Sequence, residues 1–151
     1  MLKAKILGIL FTVFFISGTV FAQPDKATQA ENELKKYVNH VVEQVKSTYD
    51  PDEKRVILNK SIGHLSGSLN TVKKNMTLTD QDQEFIDRFI HDLQEKKDEL
   101  NGLNGFSKVQ DVHLNDFTDY MQQDIEQANR TITISVTTAL LLALILVLIA
   151  S

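Results

Sequence analysis

The sequence predicts an all-α protein: an antiparallel, up-down-up-down four-helix bundle followed by one C-terminal transmembrane helix. Three observations predict it. Four stretches between residues 26 and 130 repeat apolar residues at steps of three and four, the spacing of a helix with one buried face. Capping and turn residues fall between those stretches. A run of 20 residues without a charge, 131–150, closes the chain.

The chain is 151 residues long, and its two ends leave room for one domain of moderate size. Residues 1–22 have the form of a secretory leader: Lys3 and Lys5 open it, Ile6 to Phe15 are mostly apolar, and Val20-Phe21-Ala22 offers a cleavage site before Gln23. An uncleaved first membrane helix is the competing reading, and either version sends residues 23–130 across a membrane. The chain has no cysteine. An exported domain of this size buries enough core to do without disulfides.

The first helix is expected over 26–48, with Leu34, Val38, Val41 and Val45 as its seam. It stops at "YDPDEK", where Asp50 is placed to cap, Pro51 suits a first helical position, and Asp52 and Glu53 complement the positive helix start. The second helix, 51–75, carries the longest regular seam: Leu58, Ile62, Leu65, Leu69, Val72 and Met76. Gly63 and Gly67 interrupt it and, with Ser61, form a small face suited to a close crossing or a kink. The third helix, 80–101, starts from Thr79, which pairs with Asp82 in the manner of a capping box. Phe85, Ile86, Phe89, Ile90, Leu93 and Leu100 give it a wide apolar face. "NGLNGFS" ends it, because Gly102 and Gly105 accept left-handed backbone and Ser107 is placed to cap the next helix. The fourth helix is expected from about 108, with Val109, Val112, Phe117, Tyr120, Met121, Ile125 and Ala128 inward, and no glycine or proline separates it from the oily run.

That run, 131–150, is about 30 Å of helix, the depth of a bilayer's hydrocarbon layer. It predicts a single C-terminal span; the competing reading is a lipid-anchor signal, with Asn129 as the attachment site and the oily tail discarded. Lys3 and Lys5 set the cytoplasmic side, and residues 110–129 hold no Lys or Arg. Residues 23–130 are therefore expected in the periplasm or extracellular space, on a single-pass protein of the cell membrane. Charge divides the exported part: residues 23–76 hold 9 basic against 7 acidic residues, and residues 77–130 hold 5 against 13. The two halves should attract along their rims.

Candidate chemistry is sparse. Each expected helix carries one histidine, His40, His64, His91 and His113, but none falls on a seam and no Glu-x-x-His pair joins them, so no metal site is expected. "DQDQE" at 80–84 resembles the start of a calcium loop, yet Phe85 and His91 stand where that loop needs glycine and glutamate. "GHLSG" at 63–67 has its serine in the wrong place for a nucleophile elbow. No phosphate loop or dinucleotide fingerprint occurs. No catalytic residue, cofactor or enzyme activity is expected. A net acidic domain without a basic stripe also disfavours nucleic acid. Sequons at Asn59, Asn75 and Asn129 matter only in a eukaryotic secretory pathway.

The layout of leader, four helices and span resembles the extracytoplasmic part of bacterial chemoreceptors and sensor kinases in arrangement, with no motif carrying the likeness. The function expected is protein–protein contact by a membrane-anchored bundle, an accessory or scaffold subunit of an envelope complex, partnered by another protein or by itself. Its candidate partner face is Asp111, Asp116, Asp119, Asp124 and Glu126, acids that anionic lipid would repel. The alternative is a ligand-binding or sensor module of four-helix type.

Overall fold

Among the described residues, four helices and one short turn account for the regular structure: α1 (Lys26–Ser47), α2 (Pro51–Asn75), α3 (Asp80–Asn101), a 3-10 turn (Asp111–His113) and α4 (Leu114–Ser135). The computed structural model describes residues 26–75 and 77–135. The expected leader, Met76 and the oily run beyond Ser135 lie outside the described residues. Among the described residues there is no strand, and no helix is long and apolar enough to cross a membrane.

Local chemistry sets the boundaries. The Asp50 carboxylate accepts the Asp52 amide at 2.9 Å, and α2 begins at Pro51, satisfying a donor that the first turn leaves without an intrahelical partner. The Thr79 hydroxyl accepts the Asp82 amide at 3.2 Å and starts α3. Gly102 ends α3 at φ 69°, and the Leu103 amide folds back onto the Asp98 carbonyl at 2.8 Å. Glycine is required at this position twice over. The backbone is left-handed, and an added Cβ would lie 2.7 Å from the Cβ of Lys108.

The helices assemble as a helical bundle. Both α1 and α3 pack against α2 and α4, and α2 touches α4 across the interior. Side chains show the directions. Asn59 and Asn101 exchange amide hydrogen bonds at one end of the α2–α3 pair, while Lys73 pairs with Asp87 towards the other. Asn39 meets Gln122, and Lys46 meets Asp119, along α1 and α4. In each of these two pairs the helices thus run in opposite directions. The seams meet as their spacing requires: Leu34, Val38, Val41 and Val45, then Leu58, Ile62, Leu65, Leu69 and Val72, are all buried with the apolar residues of α3 and α4. Three ion pairs, Lys46–Asp119, Arg55–Asp111 and Lys73–Asp87, join the basic first half to the acidic second.

The structure departs from the sequence expectation in three places. The fourth helix starts at Leu114, not near 108, and Ser107 does not cap it. Arg55 holds the Val109 carbonyl and the Asp111 carboxylate, so residues 102–110 form a loop. Val112, expected inward, is 79% exposed, and Tyr120 is 47% exposed with Lys96 over its ring. Ser61 is buried rather than sharing a face with the exposed Gly63 and Gly67.

Apart from its chain neighbours and the backbone of its own helix, no atom of the described residues lies within 4 Å of a Cβ built on Gly63 or Gly67. Gly63→Ala and Gly67→Ala should therefore each stabilise the fold by roughly 0.5–1 kcal/mol, since alanine loses less backbone entropy in a helix. Urea titration checks this, and a loss of stability would mean that the face is covered.

Candidate functional site

One end of the bundle collects the α1–α2 turn and the α3–α4 loop. Arg55 organises it. This arginine lies three residues before Leu58, in register with the α2 seam, and is buried. Its guanidinium donates to the Leu100 carbonyl at the end of α3, to the Val109 carbonyl at 2.9 Å and to the Asp111 carboxylate at 2.6 Å. One side chain therefore ties α2 to α3, the loop and the 3-10 turn. A planar guanidinium suits the task because it offers several donors in fixed directions.

The loop itself is internally bonded. Asp98 accepts from Gln94 at 2.9 Å and from Asn104 at 2.7 Å. The Val109 amide reaches back to the Glu99 carbonyl at 3.3 Å. Lys54 bonds Asn115 at 2.6 Å, joining the start of α2 to the start of α4. On this braced frame Tyr49, Val56, Leu103, Phe106 and Val112 face solvent. They are five of the six large apolar side chains exposed among the described residues, the sixth being Tyr120. Scattered exposed apolar side chains are ordinary, whereas several on one end of a braced frame are the composition of a contact surface.

The five acids expected to form a partner face are bonded to different neighbours. Asp111 pairs with Arg55 of α2, Asp119 with Lys46 of α1 at 2.7 Å, and Asp124 with Lys96 of α3 at 3.1 Å. Glu126 accepts from Gln122 at 3.1 Å on its own helix. Asp116, beside His113 at 3.2 Å, is the most open, with its side chain 80% exposed. Asp111 and Asp116 lie at the braced end; Asp119, Asp124 and Glu126 lie further along α4.

Two other places collect polar or apolar groups. Between α3 and α4, Phe85, Phe89, Leu93, Met121 and Ile125 floor a groove of about 570 Å³, with Arg88 among the residues of its rim. The floor side chains are each at most 7% exposed. Nearby on α3, His91, Asp92 and Glu95 bring one ligand atom each within 4.8 Å of the others. Comparing histidines between helices overlooks this trio, because its members belong to one helix. All three are exposed, and their geometry is that of a solvated helix face.

At the α1–α2 interface the Tyr37 hydroxyl sits 3.3 Å from Nδ1 of His64 and also bonds Ser61. Burial raises the phenol above its ordinary value of 10.0, and the Ser61 bond opposes part of that rise. The unfolded chain therefore ionises Tyr37 first. Stability from this group is complete below about pH 10 and falls as pH rises from there through the folded value. Lys96 behaves likewise: burial lowers it, but bonds to Tyr120 and Asp124 outweigh burial and hold it above 10.5. Melting temperature measured from pH 9 to 11 should fall less steeply in Tyr37→Phe than in the wild type, and equal slopes would contradict the assignment.

No protein-family model matches the chain, and no curated protein or solved structure matches it. The class that the described residues define is an all-helical bundle of four helices.

Proposed function

We propose that the chain is a membrane-anchored, extracytoplasmic protein that acts by contact, as an accessory or scaffold subunit of an envelope complex. In this reading residues 1–22 are a leader, 23–130 form an up-down-up-down bundle outside the cytoplasm, and 131–150 are a single span. The observation that carries the contact role is the set of exposed apolar side chains Tyr49, Val56, Leu103, Phe106 and Val112 at one braced end. That end lies opposite Ser135, roughly 33 Å away along helices of 22 residues at 1.5 Å each. Asp111 and Asp116 belong to this surface. Asp119 and Asp124 act as ties between helices. The bundle works without catalysis, a cofactor or nucleic acid.

The second reading, a ligand-binding or sensor module, is favoured by the groove between α3 and α4. Co-purification from solubilised membranes separates the two. Partners retained when the chain is cut after Arg130 support the contact role, whereas partners lost with the span support a sensor that signals through its membrane helix.

A further inference from the structure

We infer that the braced end docks a protein surface whose apolar patch is rimmed by lysine or arginine. This rests on the contact role proposed above and adds the partner's chemistry to it.

Presentation supports the inference first. Leu103 and Phe106 sit in a loop fixed by Asp98, Asn104 and the left-handed Gly102, and Val112 follows Asp111, which Arg55 grips from α2. A loop that needed only to connect two helices would expose polar residues and tolerate motion. One held in a single shape while facing apolar groups to water has already met the ordering cost of binding.

Charge then selects the partner. Residues 47–56 and 102–116 together hold five carboxylates, Asp50, Asp52, Glu53, Asp111 and Asp116, against three cations, Lys54, Arg55 and Lys108. The buried guanidinium of Arg55 is spent on Leu100, Val109 and Asp111; with that pair set aside, Asp50, Asp52, Glu53 and Asp116 still outnumber Lys54 and Lys108. Asp52 and Glu53 stand between Tyr49 and Val56 in the chain, and all four are exposed. A second copy brought end to end would oppose like charges, and an anionic bilayer would be repelled as well. A surface with apolar groups inside a basic rim satisfies both features.

Two synthetic helical peptides test this, sharing one leucine face and differing only in a lysine or a glutamate polar face. Each is titrated against the full-length chain in phosphatidylcholine nanodiscs, with affinity read by fluorescence anisotropy and position by amide chemical shifts. The lysine peptide should bind at least about tenfold more tightly than the glutamate peptide, with shifts at Tyr49, Val56, Phe106 and Val112. Val112→Ser, at a position 79% exposed, should weaken it without changing the melting temperature. Asp52→Asn with Glu53→Gln should shrink the preference between the peptides. Equal binding of both peptides at this end would overturn the basic rim and leave the contact role standing. Shifts that fall elsewhere, or none, would overturn both. Self-association abolished by Val112→Ser, or shifts at this end on adding phosphatidylglycerol vesicles, would replace the basic protein with a second copy or a lipid surface.

Discussion

Leu65→Asp is expected to abolish the cooperative melt and most of the helical circular dichroism at 222 nm. Leu65 is 2% exposed, on the α2 seam between Ile62 and Leu69, inside a single cluster fed by all four helices. An aspartate there either ionises without a partner in an apolar interior or takes up a proton to avoid doing so, and also leaves a void where the leucine packed. The cost, roughly 4 kcal/mol or more, is comparable to the whole stability of a domain this size. Its neighbour provides the control. His64 is half-buried and its ring meets Tyr37 at 3.3 Å, so His64→Ala should cost at most about 1 kcal/mol. Equal effects from the two variants would mean that the seam has been assigned to the wrong face.

The second large effect is expected at Arg55. Arg55→Met keeps much of the side-chain volume but removes the donors to the Leu100 and Val109 carbonyls and leaves Asp111 without its cation. The Asp111 side chain is 56% exposed, so water relieves its charge, and most of the loss comes from the two carbonyls. The expected destabilisation is roughly 2–4 kcal/mol, a fall in melting temperature on the order of 10 °C. Asp111→Asn, which keeps both carbonyl bonds, should cost less than about 1 kcal/mol. Hydrogen exchange should show the loop of Arg55→Met opening well before the α1–α4 contacts. A variant as stable as the wild type would remove Arg55 from its organising role and, with it, the fixed shape of the exposed loop.

These two residues also mark what could be read in the sequence. Leu65 belongs to a six-residue pattern that any helix burying one face must show, and the starts and stops around it rest on short-range chemistry: Asp50 with Pro51, Thr79 with Asp82, Gly102 in left-handed backbone. Helix boundaries set by such local bonds were legible. The beginning of α4 was not, because "KVQDVH" suits a helix and is held out of one by Arg55, more than fifty residues earlier. A cation in register with an apolar seam was the available signal, and extending the step from Leu58 back by three would have found it.

The candidate surface was hidden for a related reason. Tyr49, Val56, Leu103, Phe106 and Val112 come from three separate parts of the chain, the α1–α2 turn with the start of α2, the α3–α4 loop and the 3-10 turn, and share one end of the bundle only once the chain has folded. The acids of 111–126 are neighbours in sequence, and their shared sign suggested one face. At 100° per residue, however, Asp119 and Asp124 stand about 140° apart around a helix with Asp116 between them, and Lys46 and Lys96 meet those two from opposite flanks.

The membrane anchor and the side of the membrane on which the bundle stands can be tested together. Sealed right-side-out and inside-out vesicles from cells expressing the full-length chain are washed with alkaline carbonate, treated with protease, and probed for the region 26–135. The proposal predicts that the chain stays with the membranes and that this region is digested only in right-side-out vesicles. Full-length chain in the carbonate supernatant with residues 131–151 still attached, or digestion only in inside-out vesicles, would contradict it.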